Sequence, residues 1–384
     1  MTSPDHKPPP WWRGLWEKSA WVLLLFVASR LVIVAVIIYS RQIVVRGPYL
    51  EVSGEEQHGG TLLDILTQWD GTWYRYIAER GYVSRMPSVA TAFFPVYPLV
   101  VRAVKFVVRD LQVASLVVSN GSLIAAALLL KKLLRLDYDE RVCRRAIVFL
   151  MFNPMSFFLS ASYPESTFLL LSVGAVLAAR RGTWLGAGIC GAILSATRPT
   201  GLMIGVPLLA EHAAQWREQG EPLRRLFQSR LLWLGVIPLG IGAYLFYCHA
   251  TRGDWLLPMH AHAAGWGRRL AWPWQSFLWP QNFQASHIPL YQGIVTAAFI
   301  LIVAGFFLKL RATYLVYAAA SLIFSLVWAT LEALPRHLSM LFPIYLIMAL
   351  LSIRWRWLYE PLLALSVALL AYCTVLFANA YWMT

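Results

Sequence analysis

Apolar residues in this chain neither alternate nor recur on one helical face. They come in long, nearly unbroken runs: Ala20 to Ser40, Val113 to Leu130, Ala146 to Ser162, Thr167 to Ala179, Trp184 to Thr197, Gly201 to Ala210, Leu231 to Ala250, Ile288 to Leu308, Thr313 to Thr330, Leu338 to Ile353 and Pro361 to Ala380. A helix that crosses a hydrocarbon core about 30 Å thick needs about 20 mostly apolar residues, so the pattern predicts an all-α polytopic membrane protein with about eleven spanning helices. The first run is too long for a signal-peptide core and ends in Tyr39-Ser40-Arg41 without a small-residue cleavage pattern, which makes it an uncleaved first span.

One segment resists this reading. Ala92 to Val108 is apolar enough to cross, yet it carries Arg102 and Lys105 on one side and Pro95 and Pro98 near its start. As an amphipathic helix lying in the outer interface it leaves the basic cluster from Lys131 to Arg145 on the cytoplasmic side, within a total there of 19 of the 33 Lys and Arg. Residues 1–19, with Pro8 to Pro10 followed by Trp11, Trp12 and Trp16, read as a cytoplasmic tail ending in an interfacial anchor, and 20–384 as one membrane module. Two connections are long, the first outer loop (41–111) and a second (251–287), and both fall on the same face. The expected work of the protein is therefore on that face.

Composition agrees: 59% hydrophobic and 14% charged residues, against about 25% charged in soluble domains. The formal charge of +14 does not imply nucleic acid, because membrane proteins hold their basic residues on cytoplasmic loops. The four cysteines are widely separated and give no metal-ligand or disulfide spacing. There is no phosphate-binding loop, dinucleotide glycine pattern, zinc motif or nucleophile elbow. His260 and His262, with Asp254 and His287 in the same loop, are a weak metal signal; no metal site or cofactor is predicted, and a divalent-ion requirement is not fixed by the sequence.

The candidate chemistry lies in polar residues set among apolar ones. In Trp69-Asp70-Gly71-Thr72-Trp73-Tyr74-Arg75-Tyr76-Ile77, helical spacing puts Asp70, Trp73, Tyr74 and Ile77 on one stripe, where a partly desolvated carboxylate is suited to act as a general base. The plainer reading is an N-cap or a surface partner of Arg75. Glu165 follows Tyr163-Pro164 at a span end, as a site acid or as the acid of a helix first turn. Arg198 and Arg336, the latter beside His337, stand at outer ends of spans, either holding a phosphate or snorkelling into headgroups. Arg30 sits ten residues into the first span and needs a polar partner or a wet cavity; Asn153-Pro154 breaks a helix ladder, as a kink or as a source of an amide.

These residues, in this order, resemble the PIG-V family of mannosyltransferases and, more broadly, membrane glycosyltransferases of the GT-C fold. The resemblance rests on Ser29-Arg30, Trp69-Asp70 through Ile77-Ala78 and Gly81-Tyr82, Ala92-Phe93-Phe94-Pro95 through Pro98-Leu99, Asn153-Pro154, Tyr163 with Glu165-Ser166, and Arg198 with Gly201. Two departures stand out: Trp73 where the family tends to have His, and Arg198-Pro199-Thr200-Gly201 where it tends to have Arg-Ser-Asn-Gly.

The resemblance implies inverting transfer of mannose or another hexose from a polyprenyl-phosphate donor to a hydroxyl of a lipid or glycolipid acceptor. Asp70 would be the base, Arg198 or Arg336 the phosphate ligand, and Trp69, Trp73 and Tyr74 the flanks of the sugar, with Arg30, Asn153, Glu165 and His337 completing the substrate site. The chain is short for a eukaryotic member, so a bacterial plasma membrane with an outward-facing site is expected, with an endoplasmic reticulum membrane and a lumenal site as the alternative. A transporter or flippase of a lipid-linked sugar, with Arg30, Glu165 and Arg198 along its path, accounts for the same charges.

Overall fold

The computed structural model describes residues 11–47, 60–82, 88–220, 229–280 and 288–381; His287 and the first ten residues lie outside them. Among the described residues there is no strand, and the chain is a multi-pass membrane protein. The first helix, α1 (Trp11–Ile43), begins inside the stretch read as a tail. The first long connection holds α2 (Leu62–Leu66), α3 (Asp70–Arg80), a 3₁₀ turn (Ser88–Ala92) and α4 (Val96–Val108). Then follow α5 (Leu111–Leu134), α6 (Glu140–Met151), α7 (Glu165–Arg180), α8 (Trp184–Ser195), α9 (Gly205–Glu218), α10 (Ser229–Leu234) and α11 (Ile237–Arg252). The second loop carries α12 (Leu257–Trp266) and α13 (Pro273–Leu278), before α14 (Ile288–Phe307), α15 (Ala312–Ser325), the one-turn-plus α16 (Leu334–Leu338), α17 (Phe342–Arg354) and α18 (Tyr359–Ala378).

Five stretches are long and apolar enough to cross a membrane: Ser19–Ile43, Leu111–Leu134, Arg230–Arg252, Ile288–Phe307 and Arg356–Ala378. Trp184–Ser195, Ala312–Trp328 and Phe342–Arg354 are shorter apolar helices. At 1.5 Å per residue the 12 residues of α8 reach about 18 Å.

The run Ala146 to Ser162 is not one span. Its helix stops at Met151, and residues 152–164 continue as buried turns around Asn153-Pro154, where proline removes a ladder bond and Asn153 turns its amide onto the Leu150 carbonyl (2.7 Å) and accepts from the Met155 N–H (2.9 Å). Irregular backbone at membrane depth survives only inside protein. Arg30 satisfies it: Nη2 donates to the Met151 carbonyl (3.1 Å) and Ser156 Oγ (2.5 Å), and Nη1 to the Ser156 carbonyl (3.1 Å) and Ser160 Oγ (2.5 Å). The mid-span charge thus has its polar partner within the fold.

The centre of the bundle packs α5 on α7, α7 on α8 and α8 on α11, while α6 lies on α17 and α1 on α18. Small residues permit the closest approach. A Cβ at Gly240 would stand 1.8 Å from the Ala192 carbonyl oxygen, and one at Gly188 would stand 2.3 Å from that of Trp233. Gly240→Val should therefore separate α8 from α11 and lower the melting temperature of the detergent-solubilised protein, in line with overpacking penalties of about 1–3 kcal/mol. Gly242→Val, two residues on with open space around it, should leave the melting temperature nearly unchanged.

Candidate active site

The two long connections and the breaks at 197–201 and 326–337 line a cavity of about 750 Å³, counting the part open to solvent. Asp70 enters it as the first residue of α3. The residue before it, Trp69, adopts φ 59° and ψ −129°, a conformation that costs a non-glycine residue about 1–3 kcal/mol and marks a position held by its surroundings. Those surroundings are the 152–164 turns: the Ser162 N–H donates to the Leu66 carbonyl (2.8 Å) and the Tyr163 hydroxyl to the Gln68 carbonyl (3.2 Å). A Cβ on Gly71 would lie 3.2 Å from Ser162. Asp70 is not the helix N-cap, which is Trp69.

Charges converge on this point from distant parts of the sequence. Arg336 Nη1 donates to Asp70 Oδ2 at 2.8 Å, and its Nε lies 3.2 Å from Glu165 Oε1, which also takes Arg198 Nη1 at 2.5 Å. Glu165 is fully buried at the start of α7 and neutralises both guanidiniums from behind the cavity. Arg336 lies over the rings of Phe158 and Tyr163, with its CZ carbon 5.4 and 5.2 Å from the centroids, so the irregular turns position the cation as well as the acid. The neighbouring Asp70 and Glu165 carboxylates raise the Arg336 guanidinium above its ordinary value despite burial.

Arg198 Nη2 also donates to Nε2 of His337 (2.5 Å). That contact places the imidazole proton on Nδ1, a buried atom with no hydrogen-bond partner among the described residues. Burial and the surrounding Arg198, Arg336 and Arg268 push His337 well below the usual histidine range, and burial pushes His262 down to about 3. Both rings are neutral at physiological pH, so the positive charge of the cavity comes from its three arginines.

Arg268 differs from the other two. It lines the cavity, no hydrogen bond or ion pair from the described residues engages its guanidinium, and its buried Nε has no partner among them. Burial, with Arg336 and Arg198 adding to it, lowers it to about 10, which leaves it charged at neutral pH. Thr200 Oγ1 and His262 Nδ1 are likewise buried without partners on the same wall. The cavity thus offers a carboxylate oxygen, Asp70 Oδ1, without a hydrogen bond among the described residues, together with donors that are unengaged among them. Aromatic rings close it, with Phe93 against Trp266 at 5.7 Å and against Tyr74 at 5.1 Å. Among the described residues no three His, Cys, Asp or Glu group as metal ligands; His260 instead bonds Asp254 on the surface.

Of the residues singled out in the sequence, Asp70, Tyr74, Arg198, Arg336 and His337 line the cavity and Glu165 backs it. Four do not line it. Arg30 and Asn153 are consumed by the 152–164 turns, Trp69 serves the strained turn before α3, and Trp73 stacks on Phe93 at 5.9 Å. Sequence reasoning missed Arg268, Thr200, Trp266 and Trp328, and gave His262 only as a weak metal ligand. Adjacent Arg268 and Arg269 look alike as loop charges; only the fold turns the first into this cavity and leaves the second exposed on another.

Comparison with known proteins places this geometry. Residues 21–204 match the family profile described as mannosyltransferase (PIG-V). GPI mannosyltransferase 2 of Drosophila pseudoobscura pseudoobscura is 31% identical over 208 residues, which cover 49% of this chain and 44% of that protein. GPI alpha-1,6-mannosyltransferase 2 of Homo sapiens is 30% identical over 206 residues, 49% of this chain and 41% of that one. The aligned stretches thus span less than half the length of these relatives. Among solved structures, ArnT from Cupriavidus metallidurans, crystallised with undecaprenyl phosphate, superposes with a TM-score of 0.52 over 95% of this chain and 77% of its own, at 13% identity, a likeness of fold.

Proposed function

Since the half of the chain that holds Asp70, Glu165 and Arg198 matches the PIG-V mannosyltransferase family, we propose that this protein transfers mannose from a polyprenyl-phosphate donor to a hydroxyl of a lipid or glycolipid acceptor, on the extracytoplasmic face of its membrane. The observation that carries the reading is the presence, in one cavity, of a carboxylate oxygen without a hydrogen bond and an arginine without a hydrogen bond or close ion pair among the described residues.

Arg268, the Nδ1–H of His337 and the Thr200 hydroxyl hold the donor phosphate. Asp70 Oδ1 accepts the acceptor's hydroxyl proton as its oxygen attacks the anomeric carbon. The new glycosidic C–O bond forms on the side opposite the phosphate, the bond from the anomeric carbon to the phosphate oxygen breaks, and polyprenyl phosphate leaves. One displacement with a single base inverts the anomeric centre. Arg268 meets the charge that develops on the leaving phosphate, in a setting where a fixed cation acts with little solvent screening. Arg336 and Glu165 keep Asp70 and Arg198 in register. Tyr74 and Trp266 face the sugar.

Arg268→Ala tests the phosphate site. It removes a charge-assisted contact of about 1.5–3 kcal/mol, so the dissociation constant for polyprenyl phosphate should rise about tenfold or more. Arg269→Ala, at the adjacent exposed position, should leave it unchanged. Equal effects of the two substitutions would reduce the interaction to general surface charge and remove the assigned site.

A further inference from the structure

We propose that Arg30 is a positioning residue for the reaction centre, acting at a distance through the buried turns at 152–164; the inference rests on the transferase reading above. Arg30 is in α1, outside the cavity, and its guanidinium is spent on Met151, Ser156 and Ser160. Ser160 Oγ passes the contact on to Asn120 Oδ1 (2.8 Å) in α5, and Ser156 Oγ donates to the Met151 carbonyl (2.7 Å). The last carbonyl of α6 therefore receives a cation, as a helix C-terminus favours.

Several contacts that orient Asp70 and Arg336 are attached to the stretch Arg30 holds. Its Ser162 and Tyr163 bind the backbone at Leu66 and Gln68, just ahead of Asp70; Phe158 and Tyr163 supply the rings under Arg336; and Glu165 ends it. The stretch has turn hydrogen bonds of its own, such as Ser156 N–H to the Asn153 carbonyl (2.9 Å) and Ser160 N–H to that of Phe157 (3.0 Å), but no continuous helical ladder, so side-chain contacts help to fix how it sits. Loosening it displaces the base without touching Arg268, which comes from the second outer loop. Displacements of about 1 Å at a reacting centre reduce rates by about 10²-fold.

The test compares Arg30→Met, Arg30→Lys and Ser160→Ala with wild type in purified protein. Transfer from polyprenyl-phosphate mannose, binding of polyprenyl phosphate and amide hydrogen exchange are followed in each. Arg30→Met should lower kcat about 10- to 100-fold and change phosphate binding less than about threefold, with faster exchange in both 152–165 and 62–74. Arg30→Lys, which keeps the charge but not the fork, should recover part of kcat. Ser160→Ala should move kcat and exchange in the same direction by less, and decides the matter if Arg30→Met does not fold.

A loss of phosphate binding equal to the loss of kcat would make Arg30 a direct ligand and overturn the proposal, as would unchanged kcat in both Arg30→Met and Ser160→Ala. Coupled exchange in a protein that transfers no mannose even as wild type would leave the positioning intact and reject the transferase reading instead.

Discussion

Asp70→Asn should abolish most transfer, by about 10²-fold or more, while donor binding stays within a few-fold of wild type. The substitution is close to isosteric. The carbonyl of the introduced amide can still accept from Arg336 Nη1, which lies 2.8 Å from Asp70 Oδ2, so the ion pair becomes a hydrogen bond and the centre keeps its shape. What is lost is the ability to take a proton from the attacking hydroxyl. Steady-state transfer from polyprenyl-phosphate mannose, paired with equilibrium binding of polyprenyl phosphate, separates the two quantities. Turnover close to wild type would remove Asp70 from the role of base. A variant that still moved lipid-linked sugar across a vesicle bilayer with no transfer product would favour the transport reading of the same charges.

The largest effect on stability should come from Glu165→Leu. This carboxylate is wholly buried and faces two guanidiniums, Arg198 at 2.5 Å and Arg336 at 3.2 Å. Deleting one partner of a buried ion pair leaves uncompensated charge in a dry place, which destabilises by about 3–5 kcal/mol. Here two cations are left, with Asp70 the remaining counter-charge for Arg336. The melting temperature in detergent should fall clearly for Glu165→Leu and less for Glu165→Gln, which retains an acceptor oxygen. Equal melting temperatures for both variants and wild type would mean that the arginines find solvent, and that the centre is wetter than its burial implies.

The transmembrane architecture was legible because a bilayer imposes length and polarity on whole segments. Each apolar run contains a helix, and α3 and α4 fall where helical spacing put them, whereas α2, α12 and α13 were not foreseen. The break at Met151 was visible only as Asn153-Pro154, since a run of apolar residues has the same hydropathy whether its backbone is helical or turned.

Within the site, Asp70, Glu165, Arg198 and Arg336 stood out because charge beside hydrocarbon is costly and so needs a reason. The same logic misjudged Arg30 and Asn153, whose reason is internal to the fold. It was blind to Arg268, because a loop arginine violates no rule of composition. Its distinction is the lack of a close ion pair among the described residues, in a cavity whose other two arginines have theirs, and that is a property of three-dimensional neighbours.

The contact between Asp70 and Arg336 joins positions 266 residues apart. A ribosome adding about 5–20 residues per second therefore exposes the acid long before its guanidinium partner exists. Glu165 and Arg198 meet earlier, but the third cation, Arg268, and then Arg336 arrive only with the final third of the polypeptide. The centre is assembled like a clasp whose two ends are made at different times, so a half-synthesised chain holds Asp70 but neither Arg268 nor Arg336.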